Sequence, residues 1–167
     1  LLDYDEKSVK ICGIPQFDIY ADSSVIIPKQ EFLMTIGADP SKKLLTYATG
    51  GGALYKEEAE IVEVIYEAMM EGRFSKPCQL LIRLHPRRSI EDFTKFEGKK
   101  DVIIQTPGKA SKTFEKSGYF WISDMMDSIT LANTLAHTDV LINVASTVTL
   151  EACILNKPVV NIGFDGR

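Results

Sequence analysis

Hydroxyl and acidic residues with the right types for binding a nucleotide diphosphate lie close together near the end of the chain. Ser146 and Thr147 follow the apolar run 140–143, and Glu151 comes four residues after Thr147, within a helical pattern over 147–155. Amides and hydroxyls at a helix N-terminus can bind a phosphate, and a carboxylate one turn further on can accept hydrogen bonds from a pair of sugar hydroxyls. Alternatively, Ser146 or Thr147 only caps the helix and Glu151 complements the helix dipole.

A basic pair ends a second apolar run, 79–84. Arg83 and His85 are two residues apart and therefore point to the same side of a strand. A buried arginine needs an anionic partner, which the rim of an anion site would provide. His85 is suited to donate a hydrogen bond to a phosphate oxygen or to act as an acid, although a structural histidine fits the same pattern. Arg87 and Arg88, which follow Pro86, are predicted to be exposed.

Three consecutive glycines, Gly50, Gly51 and Gly52, follow a third apolar run, 43–48. Glycines let backbone amides approach a ligand closely, and the helical pattern that follows would add a partly positive helix end. The spacing is not G-x-G-x-x-G and no P-loop lysine follows, which argues against nicotinamide and Walker-type nucleotide sites. A flexible turn between strand and helix is the alternative.

The elements that must position these residues alternate along the chain. Apolar runs at 9–12, 43–48, 79–84, 101–105, 140–143 and 158–162 predict strands, most of them covered on both faces. Helical patterns cover 56–70, 89–96 with Ser89 as N-cap, 127–137 and 147–155. The long connection 106–126 contains an aromatic cluster and predicts a short extra strand at 119–122.

This alternation predicts an α/β fold with a doubly wound, Rossmann-like parallel sheet. Ligands bind at the carboxyl ends of the strands in such sheets. We therefore expect the glycine turn, the Arg83/His85 pair and the 146–151 segment to border one pocket.

Composition limits the classes of protein that fit. The chain has 167 residues, of which 45% are apolar, and this suits one domain with a packed core. With 19 Lys and Arg against 23 Asp and Glu, the net charge of −4 argues against a nucleic-acid partner. No apolar run approaches the length of a membrane span. Three scattered cysteines and two histidines lack metal-ligand spacing, so we expect neither a metal nor a cofactor.

Several of these passages together resemble the nucleotide-sugar-binding domain of GT-B glycosyltransferases. The resemblance runs from Asp124-Met125-Met126 through the Ala136-His137-Thr138-Asp139 and Ser146-Thr147…Glu151 stretches to Asn156-Lys157-Pro158. Residues 9–18 resemble the crossing between the two domains of such enzymes, and residues 44–52 resemble the first strand and glycine turn of the second. The stretch Arg83-Leu84-His85-Pro86 resembles the His-Pro motif of CDP-glycerol glycerophosphotransferases and UDP-N-acetylglucosamine 2-epimerases.

The resemblance implies a single domain excised from a two-domain GT-B protein. Residues 1–28 would be the crossover segment from the missing amino-terminal domain, and residues 29–167 the nucleotide-sugar-binding domain, incomplete at its carboxyl end. By the same resemblance Glu151 would bind the ribose, Ser146 and Thr147 the diphosphate, and Asp124, Met125 and Met126 would border the base. His85, supported by Arg83, would contact the diphosphate or the transferred group, and Gly50 to Gly52 would line the cleft.

The implied function is metal-independent transfer from a nucleotide-diphosphate sugar, such as a UDP- or CDP-linked donor, in surface polysaccharide or glycan synthesis. The acceptor, a saccharide or a lipid-linked molecule, would bind through the missing domain, and the protein would be cytoplasmic or lie at the cytoplasmic face of the membrane. Asn143 stands where many retaining GT-B enzymes have a carboxylate, and residues 46–52 lack the His-Arg pair of the epimerases. A glycerophosphotransferase, an epimerase-like enzyme and a non-catalytic nucleotide-binding module remain alternatives.

Overall fold

A five-stranded parallel sheet forms the centre of the molecule. The computed structural model describes residues 6–51, 57–112 and 120–163. The strands are β1 (Lys43–Ala48), β2 (Cys78–Arg83), β3 (Val102–Gln105), β6 (Val140–Asn143) and β7 (Val159–Asn161). Their order in the sheet is β3-β2-β1-β6-β7. β2 and β3 are added on one side of β1, and β6 and β7 on its other side, so the strand order reverses between β1 and β6. The predicted doubly wound, Rossmann-like α/β fold is confirmed.

Helices cover both faces of this sheet. The α-helices are α1 (Lys29–Thr35), α2 (Glu58–Met70), α3 (Met125–His137) and α4 (Val148–Ile154). The 3-10 helices are Glu6–Ser8, Pro15–Tyr20, Ser23–Val25 and Ile90–Phe96. Two short strands, β4 (Lys109–Ala110) and β5 (Trp121–Ile122), pair antiparallel outside the main sheet. No helix in the described ranges is long and apolar enough to span a membrane.

The core explains why the strands are continuously apolar. Leu45 and Leu80 are paired in register and pack on one face with α2 and the 3-10 helix Ile90–Phe96. Leu44 and Leu81 point to the opposite face and pack against α1. Successive side chains alternate between faces, so a strand covered on both sides needs apolar residues at every position.

Most elements begin and end within one or two residues of the predicted positions. β1 and β6 have the predicted bounds, and Ser89 caps the 3-10 helix Ile90–Phe96 through its hydroxyl. The start predicted for α2, at residue 56, lies outside the described residues. α3 begins two residues before the prediction because Asp124 accepts a hydrogen bond from the Asp127 amide and so caps it earlier.

The strand predicted at 9–12 is wrong. Residues 9–12 form no ladder with any described strand, and Ile11 is 99% exposed. An apolar run of four residues becomes a strand only where a neighbouring strand accepts its backbone hydrogen bonds. The sequence patterns also missed α1, whose seven residues bury only Phe32 and Leu33.

Candidate functional site

A cleft of about 350 Å³ lies at the carboxyl ends of β1, β2 and β6. The reversal of strand order between β1 and β6 separates the connections that leave these two strands, which opens a crevice at this edge. Five predicted site residues line the cleft together: Arg83, His85, Ser146, Thr147 and Glu151. The expected convergence of the β2 end and the α4 start is therefore present in the fold, and the roles of these residues in binding stay predictions.

The three residues predicted to border the base do not line the cleft. Ser123 and Asp127 line it, whereas Asp124, Met125 and Met126 are not part of its wall. Asp124 caps α3, and the side chains of Met125 and Met126 are 70% and 65% exposed. In this structure the cleft meets α3 through Asp127, Ser128 and Leu131 instead.

The glycine turn after β1 is held from inside the protein. The Gly50 amide donates to both carboxylate oxygens of Glu58, at 2.8 and 3.1 Å, so this donor is already used. Gly51 lies against the imidazole of His85, and a Cβ at Gly51 would come within 3.2 Å of the His85 Cε1 atom. Glycine at position 51 therefore makes room for the histidine ring. Gly52 lies outside the described residues.

A buried ion pair that the sequence patterns missed fixes this turn. Arg88 was expected at the surface, but it is only 3% exposed and forms a salt bridge with the fully buried carboxylate of Glu58. Glu58 also accepts a hydrogen bond from the Tyr47 hydroxyl at 3.2 Å. The prediction of an exposed Arg87–Arg88 pair is wrong for Arg88, because the helix that follows the glycine turn places a carboxylate over it.

His85 is held in one tautomer by its own loop. Its Nδ1 atom accepts a hydrogen bond from the Arg87 amide at 3.1 Å, so the ring proton lies on Nε2. The His85 amide in turn donates to the Thr49 hydroxyl at 2.8 Å. Burial, together with the positive charges of Arg87 and Arg88, lowers the pKa of His85. The ring is therefore neutral at pH 7 and can donate one hydrogen bond into the cleft.

Arg83 has an intramolecular anionic partner. Its guanidinium forms a salt bridge with Asp127 in the first turn of α3, and the two side chains are 6% and 9% exposed. Its Nη1 atom also donates to the Gln105 side-chain oxygen at 3.1 Å. The requirement that a buried arginine be paired is met by Asp127, so the pair presents little net charge to the cleft.

The start of α4 leaves polar groups at the cleft. Thr147 has no side-chain capping hydrogen bond, and the Ser146 hydroxyl receives only a long one, 3.4 Å, from the Val148 amide. Asn143 at the end of β6 donates to the Thr149 hydroxyl at 3.0 Å. The Thr147 side chain therefore does not cap α4 in this structure, and it is exposed at the cleft.

Glu151 is buried one turn into α4 and bonded to a residue far away in the sequence. The Tyr20 hydroxyl donates to its Oε2 atom across 131 positions of sequence. Burial raises the pKa of Glu151, and the hydrogen bond from Tyr20 counteracts this rise. Tyr20 was missed because it lies two residues beyond the passage 9–18 that carried the resemblance, and no local pattern links it to α4.

No cluster of three or more potential metal ligands exists among residues 6–51, 57–112 and 120–163. Metal-independent chemistry therefore stays a prediction. The side chains at the cleft offer hydrogen-bond donors from His85, Ser146 and Thr147 and a carboxylate acceptor from Glu151. This combination suits a ligand with an anionic end and a hydroxylated end.

Comparison with known proteins shows the fold. No protein-family model and no curated protein match the chain. A variant of the wall teichoic acid polymerase TagF soaked with CDPG matches 98% of this chain and 34% of its own length, with 17% identity and a TM-score of 0.54. The UDP-GlcNAc 2-epimerase of Methanocaldococcus jannaschii, in complex with UDP-GlcNAc and UDP, matches 93% of this chain and 39% of its own, with 15% identity and a TM-score of 0.55.

The chain thus spans about a third of the length of these structures. At such low identity the likeness shows the shared architecture and does not assign residues or substrates. The chain has the Rossmann-like fold of a domain in GT-B-type proteins.

Proposed function

We propose that this chain is the donor-nucleotide-binding domain of a GT-B-type glycosyltransferase that uses a nucleotide-diphosphate sugar in surface polysaccharide or glycan synthesis. The observation that carries this proposal is the shared cleft. It brings the α4 start, the Glu151 carboxylate and the His85 ring together at the point where the strand order reverses. Doubly wound sheets bind nucleotides at this position.

The geometry supports distinct roles for the two ends of a nucleotide diphosphate. The Ser146 and Thr147 hydroxyls and the Nε2 proton of His85 would bind the diphosphate, and Glu151 would accept hydrogen bonds from the ribose hydroxyls. During transfer the diphosphate leaves with increasing negative charge, and fixed donors stabilise that charge; removing one such donor typically slows a reaction by about 10²–10³-fold. Arg83 contributes through the Asp127 ion pair, by holding the end of β2 against α3.

A metal is not needed in this proposal, because these donors replace it. The acceptor, a saccharide or a lipid-linked molecule, and the base that deprotonates it would belong to a further domain. We place the protein in the cytoplasm or at the cytoplasmic face of the membrane, where nucleotide-linked donors are used.

A CDP-glycerol glycerophosphotransferase is the second candidate. The likeness to TagF soaked with CDPG, which extends over 98% of this chain, favours it. The likeness to an epimerase in complex with UDP-GlcNAc supports the same class of ligand, a nucleotide diphosphate with an attached group. Preference for CDP-glycerol over UDP-sugars would favour the second candidate, and epimerisation of a donor without any acceptor would favour an epimerase.

Thermal unfolding with added nucleotides tests the proposal. UDP or CDP at about 100 times its dissociation constant should stabilise the fold by about 2.7 kcal/mol, which raises the melting temperature by roughly 5–10 °C. Glu151→Gln should remove most of this shift, because the amide no longer offers the ribose a charged acceptor. Glu60→Gln, an exposed glutamate on α2, is the matched control and should keep the shift. If no nucleotide shifts the unmodified protein, the proposal fails.

A further inference from the structure

The Tyr20–Glu151 contact joins the amino-terminal segment to the proposed nucleotide cleft. Tyr20 ends the 3-10 helix Pro15–Tyr20, and three residues of this helix, Gln16, Ile19 and Tyr20, form one wall of the cleft. The Tyr20 ring packs against the apolar cluster of α3, α4 and β6, and its hydroxyl donates to Glu151 Oε2. The phenol is therefore held by packing as well as by its hydrogen bond.

The segment that follows Tyr20 is fixed to α3. The buried side chain of Asn133 accepts a hydrogen bond from the Ile27 amide at 2.9 Å and donates to the Val25 carbonyl at 2.8 Å. His137 Nε2 lies 2.7 Å from the Ile27 carbonyl oxygen. These contacts keep Tyr20 in a defined position relative to Glu151, because α3 and α4 also pack against each other.

The charged and titratable groups around Glu151 come from four elements. They are Tyr20 on the 3-10 helix, Arg83 at the end of β2, His85 in the loop after β2, and Asp127 on α3. Arg83 is paired with Asp127, and His85 is neutral at pH 7. Within the described part of the chain no lysine or arginine forms a salt bridge with Glu151, so Tyr20 is its hydrogen-bond donor.

We infer that Tyr20 is a positioning residue that holds Glu151 to accept both hydroxyls of a ribose, and that it thereby makes the cleft selective for ribonucleoside over 2′-deoxyribonucleoside diphosphates. The inference rests on the proposed function and goes further by giving Tyr20 a role and the cleft a selectivity against 2′-deoxyribose. A carboxylate has about four lone-pair directions, and Tyr20 uses one of them on Oε2. Oε1 carries no hydrogen bond to any described residue, which leaves it for the ribose.

The hydrogen bond also controls the protonation of Glu151. Burial favours the neutral carboxyl, and the Tyr20 hydroxyl favours the carboxylate that the ribose hydroxyls need. Without Tyr20 the pKa of Glu151 rises further. Glu151 then becomes protonated at a higher pH, and nucleotide binding weakens as the pH falls through this raised pKa.

Calorimetric titration with UDP and 2′-deoxy-UDP tests the inference. The unmodified protein should bind UDP roughly 10- to 100-fold more tightly, because the deoxy compound lacks one hydrogen bond to a charged group. Tyr20→Phe keeps the ring but removes the hydroxyl, and it should reduce this preference about threefold or more. The UDP affinity of Tyr20→Phe should also fall at a higher pH than that of the unmodified protein.

Tyr66→Phe, which removes a phenol hydroxyl from α2 away from the cleft, is the matched control and should keep the preference and the pH profile. Glu151→Gln should lose most of the preference, and adding Tyr20→Phe to Glu151→Gln should then change it no further. If Tyr20→Phe fails to fold, Glu151→Gln alone still tests the inference, because it keeps the Tyr20 side chain and must lose the preference.

Four results would overturn the inference. Tyr20→Phe could keep the full preference and pH profile, or it could bind UDP more tightly because the phenol competes with the ribose; in both cases UDP still binds, so the proposed function survives. A preference of Glu151→Gln equal to that of the unmodified protein would overturn the inference and the ribose role proposed for Glu151, while nucleotide binding itself would remain. If neither UDP nor CDP binds the unmodified protein, the proposed function fails and the inference fails with it.

Discussion

At the scale of single residues, the site depends on which polar groups are already paired inside the protein. Arg83 and His85 were predicted together from their spacing, yet the structure gives them different surroundings. Arg83 is neutralised by Asp127, whereas the His85 ring is hydrogen-bonded at Nδ1 and, among residues 6–51, 57–112 and 120–163, has no partner at Nε2. A single hydrogen bond from the Arg87 amide therefore decides that His85 is a donor towards the cleft.

The protonation of His85 can be measured by NMR. Because burial and the charges of Arg87 and Arg88 lower its pKa, the ring should titrate below an exposed histidine and carry its proton on Nε2 at pH 7. Neutral His85 contributes to the free energy of unfolding above the ordinary histidine pKa, and this contribution is lost as the pH falls through the lowered pKa of His85. Saturating UDP should raise the midpoint, since a diphosphate favours the imidazolium. His85→Gln assigns the signal, and a midpoint above that of a free histidine would contradict this account.

At the scale of elements, buried ion pairs hold the loops of the site against the helices. The Glu58–Arg88 pair links α2 to the loop after β2, and the Arg88 carbonyl accepts a hydrogen bond from the Trp121 ring nitrogen of β5 at 2.9 Å. The Arg83–Asp127 pair links β2 to α3. The loop after β2 is thus held to α2 and to β5, and the Gly50 amide after β1 is held by Glu58.

Breaking the link between β2 and α3 should be costly. Asp127→Asn leaves the buried Arg83 guanidinium without its counter-charge, and we expect a loss of about 3–5 kcal/mol in unfolding free energy. Glu63→Gln is the control, because it removes an ion pair with Lys95 whose two side chains are each 40% exposed. The loss of unfolding free energy for Glu63→Gln should be much smaller in the same urea denaturation, because solvent screens exposed ion pairs. Equal losses for the two variants would mean that the Arg83–Asp127 pair is not effectively buried.

At the scale of the whole molecule, the order of the strands decides where the site lies. β1 and β6 are neighbours in the sheet, although about 90 residues separate them, as their pairing of Leu45 with Val140 shows. Residues that follow both strands, Thr49 after β1 and Ser146 and Thr147 after β6, line the same cleft. The strand β2 lies inside the sheet, between β3 and β1, and its residues contribute to the cores on both faces.

The position of β2 inside the sheet, covered on both faces, predicts that truncating its side chains costs more stability than truncating an exposed helix residue. Leu81→Ala in β2 removes a side chain with 0% exposure and should reduce the unfolding free energy by about 2–5 kcal/mol. Leu150→Ala on α4 changes a side chain that is 53% exposed, and its effect should stay within about 0.5 kcal/mol. Chemical denaturation of both variants measures the difference, and a comparable cost at the two positions would argue against the two-sided core.

The positions of the main strands were predictable because their physical cause is local. A strand buried on both faces needs a largely apolar run, and 43–48 and 140–143 are such runs with polar turns beyond them. The run at 9–12 is also mostly apolar but pairs with no strand in the described ranges, and strand pairing is a property of the fold and not of four residues. The short helix α1 was missed because seven residues give too weak a periodicity.

By itself, the sequence determined the alternation of strands and helices and the residue types that end β1, β2 and β6, since periodicity and turn chemistry act over a few residues. Only the tertiary structure decided the partners of those residues. Arg83 meets Asp127 across 44 positions, Arg88 meets Glu58 across 30, and Tyr20 meets Glu151 across 131. Such pairs depend on sheet order and helix packing, and burial then selects which charges are neutralised and which groups are left for a ligand.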